Sequence, residues 1–216
     1  EPGFGTLYYK MRSVTATDSS SFSGELKVTA CNLTSAPVLT LSGLTMATVT
    51  GDFNGDGITD LAVANYGAGT VSIYPGNGSA GVGNGTFGTP TTFTTGGYPA
   101  CMIARDVDLD GITDLVIGSV TDLAVYVHRG LATNNVPNGQ FAAGVAIPCG
   151  AAPTAIAFAD LDQDGLPDLL VAGSATGVGL HRGLGASGVP NGAFAAETTI
   201  TVLGGSRGIL AIPHAD

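Results

Sequence analysis

Oxygen-bearing side chains recur at fixed spacing in three nine-residue stretches of the chain, DFNGDGITD from residue 52, DVDLDGITD from residue 106 and DLDQDGLPD from residue 160. Both steps are 54 residues, so the chain contains an internal repeat. Counted from its first residue, each stretch has a side-chain oxygen at positions 1, 3, 5 and 9 and a glycine at position 6. Hard oxygen donors in a flexible loop are the ligands that calcium selects. The spacing therefore predicts three calcium loops.

Position 7 of each loop is apolar, so it can offer only its backbone carbonyl to a cation, while its side chain points into the fold. The glycine at position 6 can take the positive φ that wraps a loop around an ion. The predicted ligands are Asp52, Asn54, Asp56, Ile58 and Asp60 in the first loop, Asp106, Asp108, Asp110, Ile112 and Asp114 in the second, and Asp160, Asp162, Asp164, Leu166 and Asp168 in the third.

Two other interpretations of these loops compete with calcium binding. Solvated Asp/Gly turns are the simpler one, but carboxylates crowded into a short loop repel one another unless a cation lies between them. An EF-hand requires a bidentate Glu at position 12, where this chain has Val63, Ile117 and Val171. The ligand set is therefore expected to close at position 9.

The acidity of the chain is concentrated in the same loops. Eleven of the 17 Asp and Glu residues lie there, and the formal net charge is -10. The chain offers no basic surface of the kind that neutralises phosphates, which argues against a nucleic-acid partner. The mean hydropathy is +0.34, yet the longest apolar runs fall far below the roughly 18 residues that span a bilayer. No transmembrane segment is expected.

The residues around the loops favour an all-β fold. The chain has 34 glycines and is rich in Thr and Val, which suits short strands joined by tight turns. Each repeat has an apolar strand, the acidic loop, a second and a third strand, a Gly/Asn-rich loop that ends in Asn-Gly-x-Phe, and a fourth strand. Four antiparallel strands per repeat are typical of a β-propeller blade, and we prefer this fold to a solenoid or a sandwich.

The repeat also predicts the organisation of the chain. Blades are expected at residues 44–97, 98–151 and 152–204, with the first strand of a further blade at 205–216. Residues 1–43 are expected to form part of an incomplete or closing blade, with strands at 5–14, 24–31 and 37–41 and a turn-rich segment, TATDSSSFS, between the first two. About four blades' worth of chain is compatible with a closed four-bladed ring, a partial propeller, or one completed by strand exchange. Because the chain starts at Glu1, either a signal has been removed or the sequence is an internal piece.

The pattern DxDxDGxxDL at 52, 106 and 160, the strand after each, and the trailing NGxF resemble the FG-GAP repeats, also called VCBS repeats, of integrin alpha-chain propellers and many secreted bacterial proteins. The resemblance covers roughly residues 44–216. It implies an extracellular β-propeller with calcium in the loop between the first two strands of a blade. Two departures are visible: the Phe-Gly pair persists only at Phe87, and the family usually closes with seven blades, for which 216 residues are too few.

Cysteine and histidine give weaker signals. Cys31, Cys101 and Cys149 are either buried small apolar residues or one disulfide with one free thiol. His128 and His181 occupy equivalent repeat positions, which favours a structural role at a strand end. A zinc or catalytic role is the alternative, but no Cys, Glu or third His recurs beside them in the sequence.

Three functions remain open from the sequence. The first is a non-enzymatic binding or adhesion module, extracellular or at the cell surface, that holds three calcium ions and binds a protein or carbohydrate ligand. The alternative is a structural protein that assembles with copies of itself, as a filament or surface layer, by strand donation between subunits. An enzyme is disfavoured, because no nucleophile, base and acid occur together outside the loops.

Overall fold

The computed structural model describes residues 44–173 and 177–201 in full, and it describes the backbone of four short strands nearer the amino terminus. The chain divides into two compact units, Glu1–Val38 and Leu39–Asp216. No helix among the described residues has the length and apolar character needed to cross a membrane.

The amino-terminal unit contains antiparallel strand pairs. Its strands are β1 (Leu7–Tyr9), β2 (Arg12–Thr15), β3 (Asp18–Ser21) and β4 (Leu26–Val28). β1 pairs with β4, and β2 pairs with β3. The segment TATDSSSFS, expected to be turn-rich, instead contains the strand β3, which pairs with β2. Serine and threonine can extend as strand residues once a partner strand satisfies their backbone. The strands predicted at 37–41 and 205–216 lie outside the described residues.

Each acidic repeat of the second unit contains six strands. The first repeat has β5 (Thr45–Gly51), β6 (Asp60–Asn65), β7 (Thr70–Tyr74), β8 (Gly76–Ser79), β9 (Val82–Phe87) and β10 (Thr91–Thr94). The second has β11 (Pro99–Arg105), β12 (Asp114–Ser119), β13 (Ala124–His128), β14 (Gly130–Thr133), β15 (Val136–Phe141) and β16 (Val145–Pro148). The third has β17 (Ala155–Ala159), β18 (Asp168–Ala172), β19 (Gly177–His181), β20 (Gly183–Ala186), β21 (Val189–Phe194) and β22 (Thr198–Thr201). One 3₁₀ turn, Tyr66–Ala68, follows β6.

Four of the six strands in each repeat form one antiparallel sheet, and the other two form a separate hairpin. The sheets have the orders β5-β6-β7-β10, β11-β12-β13-β16 and β17-β18-β19-β22. The predicted all-β fold with four-stranded antiparallel sheets is confirmed. The hairpins β8–β9, β14–β15 and β20–β21 stand where the sequence predicted a Gly/Asn-rich loop.

The Asn-Gly-x-Phe element lies within the second strand of each hairpin rather than in a loop. In the second repeat, the side-chain oxygen of Asn138 accepts the Gln140 N–H at 3.0 Å, and Gly139 has a φ of 72°. The first and third repeats have the same Asn side-chain bond. This bond kinks the strand locally without ending it. Composition alone does not reveal that a strand continues through the Asn-Gly-x-Phe element.

The apolar core lies between the sheets of neighbouring repeats. Leu115 and Ile117 of β12 belong to a buried cluster with residues of the first repeat, whereas Val116 belongs to one with residues of the third. Successive residues of a strand point to opposite faces, so the middle sheet contributes to two cores. All six residues of β12 are buried. Packing on both faces is why this strand reads as a continuous apolar run.

Candidate metal centre

Each acidic loop joins the first strand of a sheet to the second. Position 1 directly follows the first strand in all three repeats, and position 9 is the first residue of β6, β12 or β18. The sheet pairing therefore holds the two ends of the loop together. In the second repeat, Arg105 is opposite Asp114 across the β11–β12 pair. A loop closed in this way brings its first and last carboxylates to the same end of the sheet.

The carboxylate at position 1 folds the loop around itself. In the second loop, Asp106 accepts the backbone N–H groups of Asp110 at 3.2 Å and Gly111 at 2.8 Å. The same pair of bonds forms in the first and third loops. Gly111 has a φ of 85°, and the equivalent glycines have φ values of 79° and 84°. The positive φ predicted for position 6 is therefore present in all three copies.

The carboxylate at position 9 is buried and fully hydrogen-bonded to backbone. Asp114 is 1% exposed, and it accepts the N–H of Val107 at 2.9 Å and the N–H of Gly130 at 2.9 Å. The first and third loops have equivalent bonds. Burial raises the pKa of Asp114 to about 6, and burial also raises the pKa of Asp60. Position 9 thus fastens the loop to the first residue of the hairpin.

A glycine begins each hairpin because the backbone of position 8 lies against it. A Cβ added at Gly130 would lie 2.4 Å from the carbonyl oxygen of Thr113, and the equivalent glycines have the same close approach. No side chain fits at that distance, so the glycine allows its N–H to reach the carboxylate of Asp114. This contact accounts for the glycine that begins each hairpin, Gly76, Gly130 or Gly183.

Positions 1, 3 and 9 converge in the second and third loops. Carboxylate oxygens of Asp106, Asp108 and Asp114 lie within 4.8 Å of one another, and so do those of the equivalent residues of the third loop, Asp160, Asp162 and Asp168. Position 5 is used differently, because Asp110 Oδ1 accepts the N–H of Ile112 at 2.8 Å. In the first loop, Asn54 at position 3 donates from Nδ2 to Asp56 at 3.1 Å.

The side chains at position 7 point inward as predicted in two loops: Ile58 and Leu166 are buried, whereas Ile112 is partly buried. Their carbonyl groups stay predicted ligands.

An unsatisfied oxygen tests whether the second loop suits a cation. Among the residues that the structure describes, Asp108 Oδ1 is a buried side-chain oxygen without a hydrogen-bond partner. A buried acceptor without a partner costs free energy, and a cation beside Asp106 and Asp114 would remove that cost. The carboxylates of Asp106, Asp108 and Asp114 converge here, and carboxylates suit a hard divalent cation. The residues present therefore fit calcium.

The arginines that follow the two histidines in the sequence, Arg129 and Arg182, contact the loops. Arg129 pairs with Asp108, and Arg182 pairs with Asp162, in both cases the carboxylate at position 3. Where the first repeat has Asn54 at position 3, it has Pro75 in place of the arginine. Each loop with its arginine therefore carries three net negative charges. Position 3 and the arginine position thus differ together between the first repeat and the other two. This paired difference was the sequence signal that would have revealed the contact.

The first two loops are also joined to the hairpin of the following repeat. Gly139 in β15 donates its N–H to the Phe53 carbonyl at 2.8 Å, and the Phe53 and Phe141 rings pack edge to face with centroids 5.7 Å apart. One repeat later, Arg129, which pairs with Asp108 of the second loop, donates to the carbonyl of Asn191 in β21. These two loops therefore lie at the boundaries between repeats.

The two histidines have different surroundings although their repeat positions are equivalent. Both are buried, and both face a backbone carbonyl through Nδ1, that of Ala142 for His128 and that of Ala195 for His181. His128 Nε2 faces the hydroxyl of Thr95 at 3.0 Å. Burial lowers the pKa of His128, so the buried ring is neutral at pH 7.

His181 Nε2 instead faces Cys149 Sγ at 3.8 Å and Glu197 Oε2 at 3.6 Å. The sequence interpretation missed this cluster, because neither Cys149 nor Glu197 recurs at the equivalent position of another repeat. Cys149 and Cys101 are both free thiols. Burial raises the pKa of the Cys149 thiol to about 11.

The comparison with protein families agrees with the repeat. The sequence pattern of FG-GAP-like repeats matches residues 52–117 and, one repeat later, residues 106–171. The two matches together span more than half of the chain, and each begins at position 1 of an acidic loop. No curated protein matches the chain.

Proposed function

The chain belongs to the family of FG-GAP-like repeat proteins, and from this premise we propose that it is a calcium-binding module that acts outside the cell. Its three complete repeats, 44–97, 98–151 and 152–204, are blades of a β-propeller. It binds a protein or carbohydrate ligand and catalyses no reaction. Calcium in the three loops keeps the repeats in the arrangement that presents this binding surface.

The observation that carries the calcium assignment is the buried oxygen of Asp108. This atom lacks a hydrogen-bond partner, while carboxylate oxygens of Asp106 and Asp114 lie within 4.8 Å of the same group. The cation would be held by positions 1, 3, 5 and 9 and by the carbonyl of position 7. When bound, calcium supplies the positive charge that offsets the repulsion among these carboxylates.

The chain's own residues connect this site to the rest of the repeat. Asp114 already holds the start of the loop through Val107 and the start of the hairpin through Gly130. Ionisation of Asp114 is unfavourable where it is buried, as its raised pKa indicates. Neutralising that charge therefore favours the folded loop, and the free energy of binding adds to the free energy of unfolding.

The propeller assignment is supported by how the sheets pack. The sheet of the second repeat contributes opposite faces of β12 to two different cores, one shared with each neighbouring repeat. Blades of a propeller pack on their neighbours in this way, with short exposed edges.

A surface for ligand binding is available on the hairpins. Val82, Val136 and Val189 begin the second strand of each hairpin, and all three are more than half exposed. The same exposed apolar residue recurs at this place in all three hairpins, and we assign the hairpins to the ligand-binding surface. Millimolar extracellular calcium suits sites that are as open to solvent as these loops.

Thermal unfolding of the full chain in calcium, magnesium and EDTA tests the calcium proposal. We expect calcium to raise the melting temperature and magnesium to raise it less, because magnesium retains its waters and demands octahedral geometry. An equal melting temperature in all three would contradict the proposal.

The binding proposal is tested on arrays of immobilised glycans and of extracellular matrix proteins, probed with the full chain in calcium and in EDTA. We expect binding to one of the two classes in calcium and weaker binding in EDTA. Lack of binding to either class would contradict the assignment of a ligand-binding module.

A further inference from the structure

Three side chains with different donor atoms meet at the boundary between the second and third repeats. Cys149 follows β16, His181 ends β19, and Glu197 precedes β22. One ligand atom of each lies within 4.8 Å of the other two. The imidazole of His181 is fully buried, and the other two side chains are partly buried. This group lies outside the acidic loops and is independent of the calcium proposal.

The hydrogen bonds of the group prepare one nitrogen for a cation. Since a carbonyl only accepts, the contact between His181 Nδ1 and the carbonyl of Ala195 at 3.1 Å places the ring proton on Nδ1. In the neutral ring, the lone pair of Nε2 then points towards Cys149 and Glu197. Histidine ligands of metals are usually fixed in this way by a carbonyl or carboxylate on the other nitrogen. The carboxylate of Glu197 is itself positioned by the N–H of Gly150 at 2.7 Å.

A catalytic triad would need a different arrangement of the same residues. In a Cys-His-acid triad, the nucleophile contacts one ring nitrogen and the acid orients the ring through the other. Here the thiol and the carboxylate both face Nε2, at 3.8 Å and 3.6 Å. A proton carried on Nδ1 cannot reach Glu197. Convergence on one nitrogen is the geometry of a shared ligand rather than of a proton relay.

The separations agree with tetrahedral zinc. Zinc lies about 2.3 Å from sulfur and about 2.1 Å from nitrogen or oxygen, which places its ligand atoms about 3.4 to 3.6 Å apart. The observed distances from Nε2 to sulfur and to oxygen exceed these by a few tenths of an ångström. A thiolate, an imidazole and a carboxylate together favour zinc over calcium or magnesium.

The second repeat shows what the same position looks like without these ligands. Counting back 54 residues from Cys149 gives Thr95, and counting back 53 from Glu197 gives Gly144, in keeping with the step between the Asn-Gly-x-Phe elements. Thr95 makes an ordinary hydrogen bond to His128 Nε2 at 3.0 Å. The boundary between the second and third repeats thus has a thiol and a carboxylate around its histidine, where the boundary between the first and second has a hydroxyl and a glycine hydrogen atom.

We propose that Cys149, His181 and Glu197 form a zinc site that links the second repeat to the third. On binding, the S–H bond of Cys149 breaks, its proton passes to solvent, and the thiolate sulfur bonds to the metal. Three protein ligands leave the fourth tetrahedral position for water or for a donor atom of a bound molecule. His181 also lines a neighbouring cavity of about 310 Å³ together with Ile147 and Phe194.

The test is a zinc titration of the full chain, stripped of metal and then supplied with excess calcium so that the acidic loops are filled. We expect one equivalent of zinc to bind. Cobalt used as a probe should give a thiolate-to-metal charge-transfer band in the near ultraviolet. Fewer than one equivalent of zinc, or cobalt binding without that band, would overturn the proposal.

Two substitutions are chosen to preserve the fold. Cys149→Thr copies the threonine that faces the histidine in the second repeat, and Glu197→Gln keeps an oxygen for the N–H of Gly150. Since losing even an outer partner of a metal ligand weakens affinity roughly 10- to 100-fold, each variant should weaken zinc binding by about 100-fold or more. The matched control is His128→Asn, which alters the equivalent histidine and should leave zinc binding unchanged. Unchanged affinity in Cys149→Thr or Glu197→Gln, with circular dichroism showing an intact fold, would refute the ligand set.

Discussion

Replacing Asp110 with asparagine separates binding of calcium from folding of the loop. Asp110 is exposed, and its Oδ1 accepts the N–H of Ile112 at 2.8 Å. The amide oxygen of asparagine can accept the same bond, so the loop keeps its internal structure. The substitution removes one negative charge and weakens one predicted ligand of the second calcium site. We therefore expect Asp110→Asn to lower the melting temperature in calcium and to leave it nearly unchanged in EDTA.

The magnitude follows from the number of sites. A site with a dissociation constant of about 0.1 mM, in about 1 mM calcium, adds about 1.4 kcal/mol to the free energy of unfolding. For a unit of this size, that corresponds to about 3 to 6 °C in melting temperature. Three such sites should together add about 4 kcal/mol, and Asp110→Asn should remove about a third of this increment.

Calorimetric unfolding of the wild type and of Asp110→Asn, each in calcium and in EDTA, provides the measurement. The equivalent substitutions Asp56→Asn and Asp164→Asn are expected to give similar losses. A variant that melts well below the wild type in EDTA would show that Asp110 supports the loop itself. A variant that keeps the full calcium increment would show that position 5 is not a ligand. Either result would refute the reasoning.

Three further substitutions test the packing and the backbone of the repeats. Val107→Ala should lower the free energy of unfolding by about 2 kcal/mol, because Val107 is fully buried between repeats. The equivalent Leu161→Ala should lower it by less than about 0.5 kcal/mol, since Leu161 is 49% exposed. Equal losses of the two variants in urea denaturation would contradict this. Leu109 has a φ of 58° and is 60% exposed. Leu109→Asn should raise the melting temperature slightly, because asparagine tolerates a positive φ better than leucine does. A lower melting temperature would argue against strain at this position. Burial lowers the pKa of His128 in the folded chain below its unfolded value near 6.5. The stability that the neutral His128 contributes is therefore complete above pH 6.5. It is lost as the pH falls below 6.5, by up to about 1.4 kcal/mol per pH unit. His128→Asn should flatten the dependence of stability on pH between about 7 and 5, and an unchanged slope would contradict this assignment.

The sequence predicted the parts of the fold that depend on local residue order. The spacing of Asp106, Gly111 and Asp114 determines the loop, because the carboxylates bond to N–H groups within it and the glycine supplies the positive φ. The strands on either side follow from their apolar residues and from the closing of the loop. These relations lie within about ten residues, and a repeat displays them three times.

Contacts between distant residues could not be predicted in the same way. The pairing of Arg129 with Asp108 and the meeting of Cys149 with His181 join residues that are 21 and 32 positions apart. Their proximity depends on how hairpins and sheets of successive repeats pack. The cluster around His181 was further concealed because Cys149 and Glu197 have no counterparts at the equivalent positions of other repeats, whereas the sequence argument relied on recurrence.

The contacts between the first two loops and the hairpins of the following repeats would link the proposed calcium binding to folding along the chain. A cation bound in the first loop would order the backbone at Phe53, whose carbonyl accepts the N–H of Gly139 in β15, and the second loop is joined to β21 through Arg129. Each of these two binding events would thus favour the folded form of the next repeat, in the manner of nearest-neighbour coupling. Calcium should consequently bind more steeply than three independent sites would, and the repeats should melt together in calcium and less cooperatively without it.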